Sequence, residues 1–147
     1  MSTAATKLDR IVDEFAGLEP RERLELLLEF AESLPPLPPR LQAEKDRGEH
    51  RVHECQTPVF LWVEVDNGQV QVYADVAPEA PTVKGFVGIL ADAFSGASVD
   101  EVLSVPPDLL QRLGLLQALG MMRMRGLQAI LFTIRDQVRK TSAAGRE

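Results

Sequence analysis

Between Pro58 and Val76 the chain reads PVFLWVEVDNGQVQVYADV, two runs rich in β-branched residues on either side of Asn67-Gly68. Asn-Gly accommodates the positive φ angles of a type I′ turn better than most pairs, so the runs are expected to fold back on each other as an antiparallel hairpin. The period is two. Val59, Leu61, Val63 and Val65 fall on one face, Phe60, Trp62, Glu64 and Asp66 on the other, and Val70, Val72 and Ala74 continue the alternation. One face should therefore pack on helices. The short run RVHE, Arg51–Glu54, is a candidate further strand, which would put Cys55 at the reversal into Val59–Asp66.

On both sides of the hairpin the period returns to 3.6. In TKLDRIVDEFAGL, residues Leu8, Ile11, Val12 and Phe15 form a stripe opposite Asp9, Arg10, Asp13 and Glu14, the pattern of a short amphipathic helix. A second helix is expected from Pro20, suited to a first helical position, through Leu24, Leu27, Leu28 and Ala31 to the stop at Pro35-Pro36. Residues 35–51, proline-rich and then mixed in charge, read as an extended, solvated connector. After the hairpin, Val83, Phe86, Val87, Leu90 and Phe94 mark a helix ended by Gly96. Ser98 and Glu101 have the capping-box form of another helix start. Gly114 and Gly120 interrupt the next helical stretch, and Leu127, Ile130, Leu131, Ile134 and Val138 define a final helix from about Met124 to Lys140. The tail 141–147 has nothing to bury and is expected to be mobile. The order helices, sheet, helices predicts one α+β domain over 1–147.

Composition narrows the function. A formal net charge of −6 works against nucleic acid or anionic lipid as partner, since both select basic surfaces. No apolar run approaches the ~18 residues of a membrane span, and MSTAATKLDR lacks the form of a secretory leader, so a soluble, cytoplasmic protein is expected. Cys55 is the only cysteine. It can make neither an internal disulfide nor a multi-thiolate zinc site, which suits a reducing compartment.

A free cysteine is by default a small buried hydrophobe. Here His53, Glu54, Gln56 and Thr57 surround it and Pro58 precedes the strand, which favours a loop at the sheet edge where a thiol can meet another molecule. Only the thiolate is nucleophilic, so a neighbouring cation or donor would help, and His53 is close in sequence. His50, His53 and Cys55 lack the spacing of a structural zinc site, and both histidines lie just upstream of the thiol, an arrangement unsuited to a cysteine protease. No metal site is expected. LGMMRMRGLQ surrounds Arg123 and Arg125 with methionines, which fill cores but also suit adaptable partner surfaces. VKGFVGIL has no phosphate-loop pattern, and its glycines suit close helix packing.

The stretches V-x-x-C-Q-T-P-V-F, T-V-K-G-F and R-x-x-G-L-Q-A, in this order and spacing, resemble the SufE family, sulfur-accepting partners of the cysteine desulfurase SufS. The resemblance runs from the first helix to the last. It implies a three-stranded antiparallel sheet packed against helices, similar to the scaffold protein IscU. It implies that Cys55 lies at a loop tip and receives sulfur as a persulfide, with Arg123, Lys84 and Gly85 at matching positions in support. The SufBCD scaffold complex would be the recipient, and the chain would be a carrier and activator holding no pyridoxal phosphate or other cofactor. Ala118, Gly120-Met121-Met122 and Ala77-Pro78-Glu79 depart from the family pattern. A protein-interaction module using the methionines, or a thiol redox protein using Cys55, are the rival classes.

Overall fold

In the computed structural model, which describes residues 4–145, the hairpin forms where the period of two places it. Strands β1 (Val59–Asp66) and β2 (Gln69–Val76) pair antiparallel from Val59↔Val76 to Asp66↔Gln69. Asn67 and Gly68 take φ of 53° and 77°, the left-handed pair that an Asn-Gly turn supplies. Val59, Leu61, Val70, Val72, Ala74 and Val76 are buried in the main core.

The sheet has two strands, not the three that the resemblance implied, and the run Arg51–Glu54 is not a strand of its own. Arg51 makes a single bridge to Phe60, supported by Val52 N–H donating to Val59 O (2.8 Å) and Leu61 N–H to His50 O (3.0 Å). The pairing stops there for local reasons. His50 has φ of 64°, which a strand cannot continue through, and Pro58 has no amide with which to extend the ladder.

The first two of the three helices before the hairpin are α1 (Ala4–Ala16) and α2 (Pro20–Ser33). The predicted stripe of α1 is buried at Leu8, Ile11 and Phe15, whereas Leu28 of α2 is 42% exposed because the buried line of that helix runs through Leu27 and Ala31. Residues 35–51 differ from the extended reading. They contain α3 (Pro39–Asp46), with Pro39 at the first helical position. Leu41 is its one buried residue, and it closes a second small core over Phe60 and Trp62, so the outer face of the hairpin is also covered. Arg40 pairs with Glu64 through two bonds of 2.7 and 2.8 Å and lies over the Tyr73 ring, while Lys45 pairs with Asp75 at 3.1 Å.

Helix α4 (Pro81–Phe94) is the centre of the molecule, packed on β2 on one side and on α2 on the other. Its contact with α2 is made at backbone distance. A Cβ at Gly85 would overlap the Leu27 carbonyl, and one at Gly88 the Phe30 carbonyl. These two glycines let the helices close, in keeping with the packing role that the sequence suggested. Four further helices complete the fold: α5 (Val99–Leu103), α6 (Leu109–Arg112), α7 (Leu115–Leu119) and α8 (Met121–Gly145). Ser98 caps α5 by accepting from Glu101 N–H at 3.1 Å. The Glu101 carboxylate also accepts from Ala4 N–H at 3.0 Å, which ties α1 to α5 and holds this carboxyl below its usual range. Helix α8 packs on β1, begins at Met121 rather than near Met124, and runs on past Lys140. Of the tail 141–147, residues 141–145 are therefore helical, and Arg146 and Glu147 lie outside the described residues. No helix among the described residues is long and apolar enough to cross a membrane.

Candidate functional site

The loop carrying Cys55 leaves the Arg51–Phe60 bridge, turns through His53 and Glu54, and re-enters the sheet at Val59. Cys55 N–H donates to Val52 O at 3.2 Å, which closes that turn. His53, Glu54 and Gln56 point to solvent, but Cys55 itself is only 8% exposed and belongs to the main core. Polar neighbours thus marked the loop correctly while the sulfur turned inward. The thiol donates to the carbonyl of Gly126 in α8 at 3.5 Å. A Cβ at Gly126 would meet Sγ at 3.6 Å, an ordinary contact, so a methyl group there would lie against the sulfur without displacing it.

Beside the sulfur is an open cleft of about 400 Å³. Its walls are the thiol loop from Glu54 to Thr57, Val83 of α4, and the start of α8 with Met122, Arg123, Arg125 and Leu127. Burial pushes the Cys55 thiol up to about 11, Glu54 adds to the effect, and Arg51 opposes it. In the free protein the sulfur is therefore a protonated, sheltered thiol.

Arg123 lies on the rim, where one guanidinium N–H donates to Thr82 Oγ1 at the start of α4 (3.2 Å). Among the described residues neither Arg123 nor Arg125 forms an ion pair, unlike Arg21, Arg40, Arg47 and Arg112. Met121 and Met122, 68% and 79% exposed, extend this rim into an apolar surface.

The other residues singled out in the sequence lie elsewhere. His53 is exposed outside the cleft, and the cation that acts on the thiol is Arg51. Lys84 is half-buried on α4 away from the cleft, and Gly85 faces the Leu27 backbone. His50 stacks on Trp62 (5.3 Å between rings) in the second core and approaches Glu44 at 3.5 Å, so it does not join Cys55. Among the described residues no group of three or more His, Cys, Asp or Glu is arranged to hold a metal ion. Two site residues escape sequence reasoning. Gly126 stands inside R-x-x-G-L-Q-A with nothing there to give it a role of its own, and Thr82 opens T-V-K-G-F without a signal, because the partner of each is distant in sequence.

A sequence model of the SufE family, described as an Fe-S metabolism associated domain, matches residues 9–138. The chain is 37% identical to an uncharacterized SufE-like protein of Mycobacterium tuberculosis over 134 residues, 90% of this chain and 92% of that one. It is 27% identical to an uncharacterized SufE-like protein of Synechocystis over 130 residues, 88% of this chain and 78% of the other. Among solved structures it is similar to the solution structure of a hypothetical protein from Thermus thermophilus. That similarity has a TM-score of 0.80 and 40% identity, covering 93% of this chain and 96% of that one.

Proposed function

The chain belongs to the SufE family of Fe–S metabolism associated domains, and from that premise we propose that it accepts sulfur from a cysteine desulfurase onto Cys55 and delivers it to iron–sulfur cluster assembly. The observation that supports this reading is the placement of the sole thiol: sheltered, bonded to a backbone carbonyl, yet lining an open cleft whose two arginines form no ion pair among the described residues.

The chemistry is thiol exchange. The donor presents a persulfide on its own cysteine; the Cys55 thiolate attacks the outer sulfur, a new S–S bond forms at Cys55, and the donor sulfur leaves as thiolate. No oxidant or reductant is consumed. With a thiol pKa near 11, only ~1 in 10⁴ copies of Cys55 is ionised at pH 7. Attack thus requires docking to swing the loop out of contact with Gly126 and into a more polar site, with Arg123 and Arg125 beside it. The same burial protects the persulfide of the free carrier from reduction and oxidation. The desulfurase SufS is the donor in this reading and the SufBCD scaffold the recipient, in the cytoplasm, and the pyridoxal phosphate chemistry belongs to the donor.

Mass spectrometry after mixing with desulfurase and cysteine tests the proposal. One added sulfur atom at Cys55 is expected, and Cys55→Ser, whose hydroxyl can still donate to Gly126 O, should fold normally and neither take sulfur nor stimulate the donor. Undiminished stimulation by Cys55→Ser would remove the carrier reading. Oxygen adducts formed with peroxide alone, in place of the sulfur adduct, would favour the redox class.

A further inference from the structure

The first turns of α4 and α8 meet at the cleft, and both present the positive ends of their helix dipoles there. A guanidinium at the first turn of α8 is electrostatically misplaced unless something holds it. Arginine offers five N–H donors. The acceptor that Arg123 finds is the Thr82 hydroxyl, from the second residue of α4, and no carboxylate among the described residues pairs with it.

We propose that Thr82 is a positioning residue, whose hydroxyl holds Arg123 over the Cys55 cleft while leaving its charge uncompensated. This rests on the carrier reading for its functional consequence. A hydroxyl fixes one N–H and neutralises nothing, so the remaining donors stay available to an anion: the Cys55 thiolate, the persulfide that replaces it, or a carboxylate of the docked donor. A carboxylate at position 82 would grip the arginine harder and remove the charge that makes it useful. The hydroxyl's own position is secure, because α4 is locked on α2 three residues further along, at Gly85, and again at Gly88. Rigidity therefore passes from the α2–α4 contact through Thr82 to a long, flexible side chain on another helix.

The test uses the full chain with Thr82→Val, Thr82→Ser, Thr82→Asp, Arg123→Ala and the Thr82→Val/Arg123→Ala pair. Sulfur-transfer kcat/KM should fall roughly 5- to 10-fold in Thr82→Val, the scale of one ordinary, solvent-exposed hydrogen bond. Thr82→Ser should restore it, and Thr82→Asp should lower it despite a stronger contact. The double variant should be no slower than Arg123→Ala alone, since Thr82 acts only through the arginine. NMR of the Arg123 Nε–H in the free protein gives a readout independent of sulfur transfer: restrained in wild type and Thr82→Ser, mobile in Thr82→Val. Equal mobility in wild type and Thr82→Val overturns the proposal, as does a Thr82→Val variant that transfers at the wild-type rate while Arg123→Ala is impaired. Failure of wild-type Cys55 to take sulfur is read separately, from its mass, and removes the carrier reading, and with it the functional consequence.

Discussion

Two contacts made by glycines do opposite things. At Gly85 and Gly88 the missing side chains bring α2 and α4 together until backbone meets backbone, with no space for a methyl group. At Gly126 the backbone carbonyl accepts from a thiol, a methyl group would meet the sulfur only at ordinary contact distance, and the neighbouring space is a solvent-facing cleft rather than a filled core. The first is a lock between elements and the second a berth for a group that must leave. Both lie along one path, since Val83 and Thr82, at the start of α4, turn towards the cleft while Gly85 and Gly88 face α2.

The largest effect expected from this contrast is on stability. Gly85→Ala should cost at least about 3 kcal/mol, because the overlap is with backbone and cannot be relieved by moving a side chain. Urea denaturation measures it, and a variant as stable as wild type would show that the lock is loose.

The next effect is on reactivity. A thiol near pKa 11 should be alkylated by iodoacetamide about 100-fold more slowly at neutral pH than a thiol at the reference value of 9.0. The rate should go on rising with pH towards 11 instead of levelling off near 9. Stability should move with the same proton. Since the folded protein holds it more tightly than the unfolded chain, the stabilisation is complete below the unfolded thiol's pKa and is lost as pH climbs through about 11. A rate profile that levels near the reference value of 9.0 would mean the berth is open in solution.

The smallest effect separates the two kinds of glycine most cleanly. Gly126→Ala adds a methyl group at an ordinary contact distance of 3.6 Å from the sulfur, and alanine is favoured over glycine in a helix by up to about 1 kcal/mol. Its melting temperature should hold or rise slightly, while Cys55 alkylation slows. A loss of stability like that of Gly85→Ala would make Gly126 part of the lock instead.

What was legible in the chain was whatever repeats at short range. The Asn67-Gly68 turn, the alternation along β1 and β2, the stripes of α1, α4 and α8, and the cap at Ser98 all depend on residues a few positions apart, and each formed as its pattern required. Helix α3 was not legible, because a helix with a single buried residue, Leu41, shows no period, and its prolines suit an extended chain as well as a helix start. The third strand was implied by resemblance and offered by the run Arg51–Glu54, but the left-handed residue at His50 and the missing amide of Pro58 reduce it to a single bridge.

The sequence by itself determined the class of fold, the identity of the one available thiol and the motifs that place the chain in its family. Tertiary structure alone decided that this thiol is sheltered, that Gly126 receives it, that Thr82 rather than an acid holds Arg123, and that Lys84, Gly85 and His53 stand outside the cleft. The physical reason is range. Periodicity and capping are set by neighbours along the chain, whereas the hydrogen-bond partners of the thiol and of the arginine lie 71 and 41 positions away and are brought to them only by packing.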